Sequence, residues 1–210
     1  MENLEDFINK LIGNNVKSTL ELPDPSLVQY YRDFSNRVIW IDEEIDNVTL
    51  DVVSKIIFWN QEDKDIPIEK RKPIRILFNS PGGSLDVEET LVSIIRLSKT
   101  PVYGIALGMV ASAASLIFLS CHKRFALPNA YLILHKGSCQ NISGDYTNVQ
   151  NAMEDYRKQI EQLEKFYIEN TQIPEETVKE RLKSDWYIRG QKLIEYGLID
   201  KWIEDIEIFL

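Results

Sequence analysis

Val102–Cys121 reads VYGIALGMVASAASLIFLSC. Its front half, Val102 to Leu107, is apolar and includes Val and Ile. Its back half, Ala111 to Ser120, is rich in Ala, Leu and small residues, and Gly108 lies between the two. That change of composition predicts a buried strand, a tight turn at Gly108 and then a helix. Ser112 then falls at or near the first helical turn. Unpaired backbone N–H groups and the helix dipole favour developing negative charge there, which makes Ser112 a candidate nucleophile. Serine also caps helix starts for purely structural reasons, so this stretch alone leaves both roles open. From Thr100 to Cys121 no side chain is charged, a length that suits a membrane span. Pro101, two glycines, several serines and the strand-to-helix change of composition argue instead for a soluble strand–helix unit.

The same pattern recurs just upstream. Ile74 to Phe78 reads as a strand, runs into NSPGGS (Asn79 to Ser84), and leads to an apolar-periodic helix starting near Asp86. Two successive strand–turn–helix units imply right-handed crossovers and a mostly parallel sheet. Sites in such sheets form at the carboxyl ends of strands. Gly82-Gly83 and the Gly108–Ser112 turn would open onto one such edge. Further out, Val38 to Ile41 reads as a short buried strand, and Asn47 as the cap of a helix running to about Trp59. Asn60 to Pro73, dense in charge with two prolines, reads as a solvated loop. Phe125 to Leu127 and Tyr131 to Leu134 are short strands around the turn Pro128-Asn129, with His135 directly after the second. From Gly144 a long helix carries a seam of Tyr146, Val149, Met153, Tyr156, Ile160, Leu163 and Tyr167, the kind one helix offers another. Pro174 starts a short helix, Gly197 ends another, and Leu198 to Leu210 is an apolar–acidic tail. At the other end, residues 3–13 form an amphipathic helical segment, joined through the turn-like LPDP (Leu22 to Pro25) to the rest.

A length of 210 residues suits one domain with an appendage, and 44% hydrophobic with 27% charged residues is ordinary for a soluble globular chain. The net charge of −9, with no long basic run, makes nucleic acid and anionic membranes poor partners. The acidic N-terminus shows no secretory signal. Cys121 and Cys139 make neither a disulfide framework nor a zinc set, so no metal is expected and a cytoplasmic location is the simplest reading.

Only two histidines are present. His122 lies beside Lys123 and Arg124 in a surface turn that suits no general base. His135 follows the apolar run YLIL and should emerge at a strand end with one face buried. Its ordinary pKa lies near working pH, so it is the candidate base for a serine hydroxyl, although a structural role also fits that place. A carboxylate should orient the imidazole. Among 33 acidic residues the sequence does not single one out, but Asp185, beside Trp186 in SDWYI, is the one expected to be partly buried. The oxyanion needs two backbone donors. Gly83, with no Cβ, and Ala113, just after Ser112, are the candidates. No GxxxxGK[ST], GxGxxG or G-x-S-x-G pattern surrounds these residues.

Taken in order, FNSPGGS, GMVAS, KRFALPNA, His135 and SDWYI…EYGLID resemble the proteolytic subunit of the Clp protease, over about Val38 to Asp200. The resemblance implies an α/β ClpP/crotonase-like fold of stacked ββα units with a protruding handle helix at about 144–169. With the periodicity of residues 3–13, it divides the chain into an N-terminal helical segment and linker over 1–25, which shows no likeness to the family, and a peptidase domain over 26–210. It also implies a cofactor-free serine endopeptidase acting on unfolded polypeptide inside a homo-oligomeric ring, a heptamer or stacked rings, with a possible ATPase unfoldase partner. Carried across position by position, Ser112 matches the nucleophile, His135 the base and Asp185 the orienting acid, while Gly83 and Ala113 match the oxyanion donors. The chain departs from the family pattern at four places. Ala113-Ala114 stands where the family has Met-Gly, and Lys136-Gly137 where it has Gln-Pro. Ser184 replaces an arginine used in ring pairing, and Arg75 and Leu77 replace aromatics of the ATPase docking pocket. Those changes leave one alternative, a catalytically silent ring or scaffold subunit partnering an active relative; the shared oxyanion arrangement leaves another, a crotonase-type acyl-CoA enzyme.

Overall fold

The structure, a computed structural model, describes residues 24–137 and 142–209. The chain divides into two units, Met1–Asp33 and Phe34–Leu210. In the first, the described residues open helix α1 (Pro25–Asn36), where Asp24 Oδ1 accepts from the Ser26 amide at 2.9 Å. The helical segment expected over residues 3–13, Leu22-Pro23 of the turn-like segment, and Cys139 lie outside the described residues.

The second unit is built on a seven-stranded, mostly parallel sheet. Strand β1 (Val38–Ile41) pairs with β2 (Ile74–Ser80), and β2 with β3 (Val102–Ala111), all in parallel. Every residue of β2 is buried except Asn79, the near-continuous apolar run of a strand covered on both faces. The other edge of β3 is shared. Tyr103–Ala106 pairs with β4 (Lys123–Ala126), and Met109–Ala111 pairs with β5 (Tyr131–Leu134). β4 then pairs with β7 (Lys201–Trp202), while β5 pairs antiparallel with β6 (Trp186–Arg189). The sheet therefore forks along β3.

That fork corrects the expectation for Gly108. The chain does not turn there; β3 runs on to Ala111 and breaks at Ser112. The strand needs those extra residues to reach β5. Gly108 serves a different purpose. A Cβ on it would lie 2.5 Å from Asn79 Oδ1, which accepts from the Met109 amide at 3.1 Å where the β2–β3 register slips.

Helices α2 (Asp51–Glu62), α3 (Leu85–Leu97) and α4 (Ala113–Leu119) cover the sheet. α4 is buried throughout, as its run of small and aliphatic residues requires. The cap near α2 is Asp46 rather than Asn47: its carboxylate accepts from the Val48 amide at the start of a 3-10 turn, Asn47–Leu50, that leads into α2. Nor is Asn60–Pro73 wholly a solvated loop. It begins inside α2, and Asp63 is buried against Arg37 Nη1 and Nη2 at 2.6 and 2.8 Å and Thr100 Oγ1 at 2.9 Å.

The long helix α5 (Tyr146–Asn170) has 25 residues, about 37 Å at the helical rise. Only Tyr167 near its end is buried; Tyr146 and Met153 at its start are exposed. α6 (Glu175–Arg181) follows Pro174, and α7 (Lys192–Glu195) gives way to Gly197 at φ +62°. No helix among the described residues is long and apolar enough to cross a membrane.

Candidate active site

Three chain segments converge where β2, β3 and β5 end. Ser112 is the residue between β3 and α4, with φ +53° and ψ −130°. A positive φ is costly for a non-glycine residue, on the order of 1–3 kcal/mol, and is kept only where the surroundings impose it. Two contacts impose it here. The Ser112 amide donates to the Ile133 carbonyl at 3.0 Å, tying the turn to β5. Gly82 packs against it so closely that a Cβ there would lie 2.6 Å from Ser112 Cβ and 2.7 Å from the Ala111 carbonyl. The side chain makes no capping bond, so the purely structural role of a helix-capping serine is not the one it plays.

β3 and β5 run parallel with Ala111 opposite Ile133. Ser112 and His135, each just past the end of its strand, therefore lie at the same edge of the sheet. The His135 ring is about three-quarters buried, and its Nδ1 lies 3.7 Å from Asp185 Oδ1. The structure thus brings the imidazole and the carboxylate together. Among the described residues, however, Ser112 Oγ makes no hydrogen bond. Asp185 is not partly buried as expected: its side chain is 63% exposed. It precedes β6, where neighbouring side chains face opposite ways. Trp186 turns inward onto Tyr196, with ring centroids 5.6 Å apart, and Asp185 faces out.

Gly83 is exposed at φ +152°. It is held by a parallel bridge to Ile45 that uses the Ile45 and Ser84 amides and the Gly82 and Ile45 carbonyls. Its own N–H is left without a partner among the described residues. The same holds for the N–H of Ala113, the first residue of α4, since a helix leaves its leading donors unsatisfied. His122 Nδ1 accepts from the Val102 amide at 3.0 Å, a structural contact.

Sequence reasoning missed two supports. Ser115 Oγ donates to the Ser112 carbonyl at 2.6 Å and lies 3.0 Å from Tyr167 OH, both side chains fully buried. Lys136, next to His135, is paired with Glu164 on α5 at 2.5 Å, and Tyr156 OH donates to the Gly137 carbonyl at 3.3 Å. The charge introduced by Lys136 is thereby neutralised. Only the three-residue step from Ser112 to Ser115 hinted at the first. The second joins residues far apart in sequence and left no local signal.

The two buried carboxylates behave oppositely. Hydrogen bonding from Arg37 holds Asp63 below the ordinary aspartate pKa. Burial, with Glu89 beside it, pushes Glu88 up to about 8. No group of three or more His, Cys, Asp or Glu among the described residues could hold a metal.

A model of the Clp protease family matches residues 26–205. The chain belongs to the Clp protease family. The ATP-dependent Clp protease proteolytic subunit 2 of Treponema denticola is 29% identical over 198 residues, covering 93% of this chain and 94% of that protein. A ClpP1 mutant from Listeria monocytogenes superposes with a TM-score of 0.71 at 23% identity, over 85% of this chain and 96% of that one. That likeness bears on the fold alone: the mostly parallel sheet and long α5 are those of a ClpP-like protein.

Proposed function

We propose that this Clp family chain is a serine endopeptidase that cleaves unfolded polypeptide, working as the proteolytic subunit of an oligomeric Clp-type protease. His135 takes the proton of Ser112 Oγ as that oxygen attacks a peptide carbonyl. The carbonyl oxygen, now negative, rests on the N–H groups of Gly83 and Ala113. His135 returns the proton to the leaving amine, and water, activated by the same ring, releases the acyl group from Ser112. Asp185 orients the imidazole and stabilises its charged form. Glycine at 83 and the free first donor of α4 make the anion site a property of the backbone, so the change to Ala113-Ala114 keeps both donors.

The observation that carries this reading is the strained turn at Ser112. The chain holds a serine at φ +53° with its hydroxyl unspent on capping, beside two idle amides and a histidine backed by a carboxylate. A fluorophosphonate probe tests it on the assembled protein. Ser112 should label covalently and Ser112→Ala should not, with loss of peptide hydrolysis. Absence of label on the wild-type assembly refutes the reading.

A second reading, a catalytically silent ring or scaffold subunit, is favoured by the looseness of the constellation. His135 and Asp185 are 3.7 Å apart, beyond a good hydrogen bond, and Ser112 Oγ is unengaged by the described residues. Catalytic contacts in proteins without substrate are often long, so the labelling experiment also separates the two readings.

A further inference from the structure

One turn beyond Ser112 the structure has a cleft of about 310 Å³. Its walls are Leu85 and Val92 of α3, Leu116 of α4, and Leu163 and Phe166 of α5; Glu88 of α3 stands among them. Leu116 follows Ser112 by four residues, about 6 Å along the helix. Leu85 follows Gly83 by two. Two walls of the cleft thus belong to the segments that carry the candidate nucleophile and the candidate anion site. Its volume is at the small end of ligand pockets and suits a single side chain.

Glu88 is only 5% exposed; no hydrogen bond or ion pair to its carboxyl is found among the described residues, and its oxygens are not sealed from the cleft they line. A carboxyl largely buried among apolar walls is costly to ionise without a counter-charge. The cations nearby do not supply it. Arg96, two turns on along α3, donates to Asn170 Oδ1 at 2.9 Å and lies over the Phe166 ring. Lys136 is taken by Glu164. The charged groups acting on Glu88 are the neighbouring Glu89 and, without pairing to it, Arg96; the buried Tyr167 hydroxyl, which bonds to Ser115, also faces it. A second carboxylate beside the first increases the attraction for a cation. With apolar walls for the stem, the cleft matches a long side chain with an apolar body and a positive end.

We propose that this cleft is a recognition site for a lysine or arginine side chain of the polypeptide substrate, with Glu88 as the residue that selects it. The substrate being a polypeptide rests on the proposed peptidase reading; the preference for a cation rests on Glu88 and the cleft. Binding of the cation lets Glu88 ionise inside the protein, where it otherwise holds a proton at neutral pH. The low dielectric of the cleft strengthens the attraction between the two charges, which offsets the cost of taking them out of water.

The test separates recognition from catalysis by using assembled Ser112→Ala protein. Alanine hexapeptides carrying one lysine, or one norleucine of similar length without the charge, are titrated by calorimetry. The lysine peptide should bind at least about fivefold more tightly, a difference of about 1 kcal/mol. In Ser112→Ala/Glu88→Gln the ratio should fall to near one, with a thermal transition showing that the variant is folded. Equal affinities in the first protein, or a lysine preference that survives Glu88→Gln, overturn the proposal. Fluorophosphonate labelling of the wild type reports separately on the peptidase reading. A labelled protein without lysine preference defeats only the inference about Glu88. An unlabelled protein that prefers lysine defeats only the catalytic assignment.

Discussion

The hydroxyls of Ser115 and Tyr167 lie 3.0 Å apart in the fully buried interior, and Ser115 Oγ also donates to the Ser112 carbonyl. With the Ser115 proton committed to that carbonyl, the Tyr167 hydroxyl is the donor between the two. The foot of α5 is thus linked by two hydrogen bonds to the strained turn. Tyr167→Phe removes one bond and little volume. It should cost about 1 kcal/mol, read as a lower denaturant midpoint, with peptidase activity reduced only a few-fold. Tyr167→Ala adds a cavity and should cost about 3–5 kcal/mol. An unchanged midpoint in Tyr167→Phe would show that the hydroxyl contributes nothing.

Gly82→Ala places a Cβ 2.6 Å from that of Ser112, on a backbone with φ +97°. The serine must move, or the two chain segments must part. A displacement of about 1 Å can cost on the order of a hundredfold in rate. Fluorophosphonate labelling should slow by that order, and stability should fall with it. Normal labelling would mean that the packing of Gly82 does not set the position of the serine.

Glu164→Gln releases Lys136, whose pairing partner it is. Both side chains are partly exposed, so stability should change by less than about 1 kcal/mol. The effect expected is on His135 next door, as a several-fold drop in kcat at low salt. Wild type should approach the variant as salt rises. A kcat that is unchanged at every ionic strength would show that the pair does not position the imidazole.

Glu88 sets a stability trend with pH. Its folded pKa is near 8 against an ordinary value of 4.5. Between those values the folded protein holds a proton that the unfolded chain has released. Stability therefore falls as pH rises across that window and levels off above it, by several kcal/mol at most. Glu88→Gln should flatten the melting temperature between about pH 5 and pH 8. A wild-type melting temperature that rises over that range would contradict the burial of this carboxyl.

Asp63 works at the other end of the scale. Its folded pKa is depressed by Arg37, so its contribution is fully present above the unfolded value of 3.8 and is lost as pH falls through the folded one. Asp63→Asn leaves Arg37 partly buried without its counter-charge. It should lower stability near neutral pH by about 3 kcal/mol and blunt the acid-side loss. With Glu88 acting above and Asp63 below, maximum stability is expected near pH 5. A stability–pH curve from thermal melts checks both.

Local pattern carried the reading wherever one element decides. The apolar run of β2, the periodicity of α3 and the position of His135 just after YLIL were legible because burial and strand length leave few choices. Where the structure differs, distant partners decided. Glycine is the natural residue for a turn, yet β3 passes Gly108 because its pairing with β5 begins at the next residue, Met109. Charge density marked Asn60–Pro73 as solvated, but Arg37, from the chain start of β1, draws Asp63 inside. The triad order could be read, yet the exposure of Asp185 depended on which way Trp186 turned. Glu88 left a trace. It shares one helical stripe with Leu85, Val92 and Ile95, so its spacing put a carboxyl among core positions, but spacing alone does not reveal that no cation among the described residues pairs with it.

The bend at Ser112 also helps to hold the sheet together. Past the point between Ala106 and Met109 where the edge of β3 passes from β4 to β5, the Ser112 amide bonds the Ile133 carbonyl and closes the β3–β5 ribbon. Exchanging a side chain can silence the chemistry and spare the architecture. Rebuilding the bend cannot, because the bond that closes the β3–β5 ribbon goes with it. Loss of reactivity through the backbone would therefore arrive as misfolding, not as an idle but well-formed subunit.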